Sequence, residues 1–277
     1  MTARRAETPV ARPAARLDDV LAASRAQGRA ALGLYLPVGY PTFADSLDAL
    51  RLMGQAADVL EIGIPHTHHV LDGPVIKEAA AQALAHGFRM EHVFTAAAEL
   101  TASTPAALVA MSYWARIQTY GPQRFADEFA SAGGAAVLVP DLPASAAAAW
   151  QAAARTASLL TITLVPTDAS AAHLAAIGAA SGMVYAPAAP GLTGGQSPLS
   201  PNLPHEIHRI RTATGRPVAV GIGVSTPEQA GRLSAHADAV VVGSAVIRRM
   251  QAQPATPATA AGSCARTFAD GVRHAAV

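Results

Sequence analysis

Eight short apolar runs alternate with longer alanine-rich stretches along this chain, and that rhythm leaves few folds open. The runs lie at 31–36, 59–64, 107–111, 135–139, 159–165, 183–186, 218–220 and 239–242. Most are continuously apolar rather than alternating, the pattern of parallel strands buried on both faces. The stretches between them are long enough for helices, as at 46–53 and 74–86. Eight β–α repeats predict a (β/α)8 TIM barrel, and the 277 residues suit a fold that needs about 250. A doubly wound open sheet would also alternate in this way, but the chain carries no dinucleotide fingerprint to support it.

Outside the barrel, residues 1–16 are rich in Ala, Arg and Pro and read as a disordered tail. Residues 17–28 read as an extra N-terminal helix ending at Gly28, and the barrel is expected over 17–250. Residues 251–263 read as an Ala/Pro/Thr/Gly linker and 264–276 as a terminal helix. The hydrophobic share of 51% can fill a large core, and a net charge of +1 offers nothing to nucleic acid or an anionic membrane. No apolar stretch of membrane-spanning length runs without Gly, Pro or charge. Arg4-Arg5 is followed by no apolar leader segment, and the single cysteine, Cys264, excludes an internal disulfide. A reducing, cytoplasmic location is the expectation.

Glu61 breaks the rule of the second run, because it stands inside Val59-Leu60-Glu61-Ile62-Gly63-Ile64-Pro65. A buried carboxylate costs several kcal/mol unless it is paired or used. A second carboxylate, Asp72, follows in Leu71-Asp72-Gly73-Pro74, before a helix that starts at Pro74. Two carboxylates at the mouth of one strand suit acid–base chemistry on a small molecule. The competing reading is structural, with Glu61 paired to an arginine and Asp72 capping the helix. The only lysine, Lys77, falls in the first turn of that helix rather than at a strand end, which argues against a Schiff-base aldolase.

Barrel enzymes place their chemistry at the C-terminal ends of the strands. That rule gathers Glu61, Asp72, Tyr113, Asp141, Tyr185 and the 191–195 glycine stretch. It also gathers Gly221-Ile222-Gly223 and Gly243-Ser244, at the ends of the last two strands. Glycine turns that free backbone N–H groups at a helix start bind phosphate, and barrels often do so after strands 7 and 8.

Taken together, these motifs resemble the tryptophan synthase alpha subunit family from about Gly33 to Met250. The resemblance rests on Pro37-Val38-Gly39-Tyr40-Pro41, Leu60-Glu61-Ile62-Gly63-Ile64-Pro65 with Asp72-Gly73-Pro74, Met111-Ser112-Tyr113-Trp114, Pro140-Asp141-Leu142-Pro143, Gly191-Leu192-Thr193-Gly194, and the two final glycine turns. It implies retro-aldol cleavage of indole-3-glycerol phosphate to indole and glyceraldehyde 3-phosphate. No cofactor or metal is implied in this chain, since pyridoxal phosphate would belong to a beta partner. By the same resemblance Glu61 is the general acid/base, Asp72 holds the indole N–H, and Tyr185 supports the site. Gly194, Gly223, Gly243 and Ser244 would hold the phosphate, and Tyr35, Tyr113, Leu138 and Thr193 would wall the indole pocket.

Three segments depart from the family pattern. His66-Thr67-His68-His69 stands where an aromatic-Ser-Asp-Pro run is usual in the beta-docking loop, so association with a beta subunit is expected to be weakened. Ala188-Ala189-Pro190 stands where a polar latch between mobile loops is usual, and Ala115-Arg116 where the family carries Asn. A stand-alone indole-releasing paralogue and a low-activity regulatory or binding subunit are therefore alternatives to the coupled lyase. The histidines also raise a divalent-metal aldolase, although no third ligand is evident and loop histidines are usually solvated.

Overall fold

The computed structural model describes residues 13–67, 71–189, 193 and 199–274. In chain order the elements are α1 (Pro13–Ala26), β1 (Ala31–Pro37), α2 (Phe43–Met53), β2 (Val59–Gly63), α3 (Pro74–Ala85), α4 (Glu91–Ser103), β3 (Ala107–Met111), α5 (Trp114–Tyr120), α6 (Pro122–Ser131) and β4 (Gly134–Leu138). They continue with α7 (Ala144–Thr156), β5 (Leu160–Leu164), α8 (Ala171–Ala180), β6 (Met183–Pro187), α9 (Leu203–Thr214), β7 (Val218–Gly221), α10 (Pro227–Ser234), β8 (Ala239–Val242), α11 (Ser244–Gln251) and α12 (Pro257–His274). The eight strands form a closed parallel barrel in sequence order, sealed where β1 pairs with β8. All eight predicted runs are strands.

Seven of the strands are buried nearly throughout, as continuous apolar runs require. β5 is the exception, with only its central Ile162 fully buried. Its two threonines explain how a half-exposed strand keeps its place. Thr161 donates its hydroxyl to the Ala180 carbonyl at 3.0 Å, and Thr163 shares a 2.6 Å hydrogen bond with Ser181, tying β5 to the end of α8.

Beneath the strands' N-terminal ends, α1 packs on β1, β3 and β4 and buries Leu17 and Leu21. Arg16 donates to the Thr104 carbonyl at 2.6 Å. Asp58 and Asp238 stitch this end together. Each accepts a strand N–H, from Leu32 at 2.8 Å and from Val218 at 2.9 Å, and each also holds arginine. Charge on this face is absorbed by the scaffold, which leaves the opposite mouth for chemistry.

Two expectations at the ends need correction. α1 begins at Pro13, inside the stretch read as a tail, and α12 begins at Pro257, inside the stretch read as a linker. Proline is well suited to the first position of a helix, and alanine is the strongest helix former. α12 then docks on α2, α10 and α11, so packing completes what composition disguised. Among the described residues, no helix is long and apolar enough to cross a membrane.

Candidate functional site

Glu61 lies at the centre of β2, in register with Tyr35 of β1 and Val109 of β3. It is only 7% exposed. Burial, with the charge of Asp72 adding to it, pushes its carboxyl up to about 8. At neutral pH the group therefore holds its proton, the state required of a general acid. Tyr35 and Tyr185 are buried beside it, and burial together with nearby carboxylates drives both phenols well above their ordinary value.

Asp72 reaches the same place from the loop that follows β2. Three hydrogen bonds hold that loop. The Leu71 N–H donates to the Tyr113 hydroxyl at 3.2 Å, the Thr193 N–H donates to the Leu71 carbonyl at 3.0 Å, and the Gly73 N–H donates to the Thr193 hydroxyl at 2.8 Å. Tyr113 also hydrogen-bonds Asp72, and its phenol is pushed up by burial first and by that carboxylate second. The contact at Gly73 is so close that a Cβ would overlap the Thr193 carbonyl oxygen. α3 takes Gly73 as its N-cap, with no side chain capping it, so Asp72 is not the N-cap residue. The polar latch that Ala188-Ala189-Pro190 lacks is supplied by Thr193, farther along the same connection.

The far side of the mouth is built by the ends of β7 and β8. The Ala188 and Ala189 N–H groups donate to the Gly221 and Ile222 carbonyls at 2.6 and 3.2 Å. These bonds hold Ile222 at a φ of 55°, a strained conformation for a β-branched residue that costs roughly 1–3 kcal/mol. Gly223 follows at a φ of 102°, where glycine alone is comfortable. After β8, Gly243 is the N-cap of α11 and Ser244 its first residue; the Val246 and Ile247 N–H groups donate to the Gly243 carbonyl at 2.9 and 3.3 Å, which leaves those of Ser244 and Ala245 without intrahelical partners.

These pieces line one cleft. Glu61, Asp72, Tyr185, Tyr35, Leu138, Thr193, Gly223, Gly243 and Ser244 all line it. Gly194 lies outside the described residues. Tyr113, expected in the wall, stands behind it, because its hydroxyl is engaged by the Leu71–Asp72 loop. Leu71, Ile76, Met111, Pro140, Leu164, Ile222, Val224 and Val241 complete the lining and were missed. Met111, Leu164 and Val241 share the strand-end level of the cleft, a placement that inward–outward alternation could have supplied.

Other candidates fall elsewhere. Asp141 accepts the Trp114 N–H at 2.7 Å and anchors the start of α5. Lys77 is exposed on α3 and does not line the cleft. His66 is 6% exposed, not solvated, with its ring 5.5 Å from that of Tyr113. His68 and His69 lie outside the described residues. Among the described residues, no group of three or more His, Cys, Asp and Glu side chains could hold a metal ion.

Fold and site together define a class: a (β/α)8-barrel enzyme whose strand-end cleft sets a protonated carboxyl and a second carboxylate among mainly apolar side chains. The family model described as "Tryptophan synthase alpha chain" matches residues 21–273. This chain belongs to the tryptophan synthase alpha chain family. It is 40% identical to the tryptophan synthase alpha chain of Streptomyces coelicolor over 93% of its own length and 96% of the relative's. A relative from Mycobacteroides abscessus is also 40% identical, covering 94% of this chain and 98% of that one. Among solved structures, a chain of Mycobacterium tuberculosis tryptophan synthase superposes with a TM-score of 0.86 at 34% identity, over 93% of this chain and 98% of that one. The alpha subunit of Legionella pneumophila superposes with a TM-score of 0.84 at 27% identity, over 94% of this chain and 98% of that one.

Proposed function

We propose that Glu61 and Asp72 carry the lyase reaction of this family, the retro-aldol cleavage of indole-3-glycerol phosphate to indole and glyceraldehyde 3-phosphate. The supporting observation is a carboxyl held at about 8 beside a second carboxylate, in a cleft that ends at the N-terminus of α11. Glu61 protonates C3 of the indole ring. Positive charge then develops at the ring nitrogen, where the Asp72 carboxylate accepts the N–H hydrogen bond. The Glu61 carboxylate next takes the proton of the adjacent glycerol hydroxyl. The O–H electrons form the aldehyde C=O, and the broken C–C pair restores the aromatic ring, so the carboxyl ends as it began. Tyr35, Leu138, Thr193 and the aliphatic residues around them enclose the indole, and Tyr185 shields Glu61 from water. Gly223, Gly243 and Ser244 take the phosphate with backbone N–H groups and the serine hydroxyl. This acid–base route needs no cofactor, and pyridoxal phosphate belongs to the beta chain of the full synthase. The single cysteine supports a reducing, cytoplasmic setting.

A steady-state assay for indole release is the direct test. Activity that survives a chelator supports the acid–base reading, activity lost to it would favour a metal aldolase, and no activity at all would favour a binding subunit. Asp72→Asn is expected to lower turnover about tenfold by removing a charge-assisted hydrogen bond. Unchanged turnover with a lowered Tm would mean that Asp72 serves only to hold the strand-2 loop through Tyr113.

Partnership follows from the same surface. Thr193 supplies the loop-to-loop latch, which leaves the 66–69 segment as the main departure. A beta chain titrated into the assay is expected to bind, yet to activate less than it activates an alpha chain with the usual aromatic-Ser-Asp-Pro loop. Running the titration at pH 6 and pH 8 brackets histidine ionisation. Full activation at both values would show that the histidine loop does not matter.

A further inference from the structure

We infer that Arg248 is a positioning residue for the substrate phosphate, acting through the hydroxyl of Ser244. This rests on the reading of Gly243 and Ser244 as part of the phosphate cradle. The starting point is a charge imbalance. The cleft is lined by two carboxylates, and among its described lining residues there is no lysine, arginine or histidine. A phosphate dianion entering such a cleft meets helix N–H groups but no formal positive charge from those described residues, and backbone dipoles amount to only about half a charge at a helix end.

Arg248 offers the missing charge from one turn away. It lies four residues after Ser244 on α11, so the two side chains share a helix face. Side chains on a helix lean toward its N-terminus, and the guanidinium follows that lean. Nη2 donates to the Ser244 hydroxyl oxygen at 3.4 Å. Ser244 itself is buried at 6% exposure and faces the cleft.

The contact fixes what the serine can do. A hydroxyl carries one proton and two lone pairs. With a guanidinium N–H directed at one lone pair, the hydroxyl proton is left to donate elsewhere, and the cleft is where an acceptor arrives. The arginine also polarises the hydroxyl, making it a stronger donor to an anion. Arg248 thus aims and strengthens the serine without touching the substrate, while the chemistry at Glu61 proceeds as before.

The test compares the wild-type chain with Arg248→Met, Arg248→Lys, Ser244→Ala and the Arg248→Met/Ser244→Ala double variant. Each is titrated with glyceraldehyde 3-phosphate and with indole, the charged and uncharged products, and assayed in the steady state. Arg248→Met is expected to weaken glyceraldehyde 3-phosphate and raise KM about tenfold, the scale of one charge-assisted hydrogen bond, with the change in KM rather than kcat and indole affinity retained. Lysine is expected to recover part of the loss, and the double variant is expected to be no weaker than Ser244→Ala alone. Losses that multiply would overturn action through the serine. A weakened Ser244→Ala beside an unaffected Arg248→Met would overturn the role of Arg248 and leave the phosphate reading standing. Wild-type phosphate binding in both single variants would overturn the inference together with the hydroxyl's share of the phosphate reading, leaving only the backbone N–H groups. Should Arg248→Met weaken indole as well and lower Tm, the ratio of the two product affinities in Arg248→Lys decides, and an unchanged ratio there overturns the inference.

Discussion

Replacing Glu61 by glutamine is expected to lower turnover at least ~100-fold, the scale of losing a general acid/base, in a barrel that remains folded. The amide fills the same space between Tyr35 and Val109 but can neither give a proton to carbon nor take one from the glycerol hydroxyl. The pH dependence sharpens the test. The protonated carboxyl begins the reaction, so kcat/KM of the wild type is expected to fall as pH rises through about 8. Stability follows the same ionisation. The carboxyl is raised in the fold from an ordinary 4.5 to about 8, so its favourable contribution is complete below 4.5 and is lost as pH climbs toward 8. Over that window the wild type is expected to lose about 1.4 kcal/mol per pH unit from this group, and Glu61→Gln is not. Denaturant titrations of both proteins at pH 5, 7 and 9 measure the difference. Near-normal turnover in the variant, or parallel stability curves, would remove Glu61 from its role.

Gly73→Ala is expected to cost nearly as much without touching a reacting group. Its Cβ would overlap the Thr193 carbonyl oxygen, a backbone atom that cannot swing aside. Either the strand-2 loop or the Thr193 segment must move, and Asp72 is the residue next to the point of strain. A displacement near 1 Å at a charged group in an active site costs about 100-fold in rate. The helix should tolerate the change, because glycine and alanine at an N-cap differ by only a few tenths of a kcal/mol to about 1. The readout is kcat beside Tm. Turnover within twofold of wild type would show that the Leu71–Gly73–Thr193 clasp is incidental.

The barrel was legible because parallel strands buried on both faces write themselves as apolar runs, and all eight were found within a residue or two of their ends. The charged interruption of one run marked Glu61, since an isolated carboxylate inside a strand has few uses other than chemistry. What the chain hid was whatever depends on three-dimensional approach. The resemblance put Tyr113 in the pocket wall, and it could not reveal that the hydroxyl is taken up by Leu71 and Asp72. Thr193 was placed in the wall, and its second task of bridging Leu71 and Gly73 needs two loops to meet. The left-handed turn at Ile222 was equally invisible, because no sequence rule expects a β-branched residue there. α12 was half hidden by a composition that suits both a linker and a helix that starts at proline.

The seam between β1 and β8 bears on how the protein is made. Residues 31–34 find their second neighbours only at 239–242, near the other end of the chain. During synthesis the first strand therefore waits with one edge unpaired until almost the whole polypeptide has left the ribosome. An unpaired parallel edge is a template for intermolecular pairing, and such long-range closure is slow. A fragment ending before residue 239 would keep two open edges for its lifetime. Chaperone demand and inclusion-body formation should therefore rise with any slowing of translation late in the message, where the closing strand is encoded.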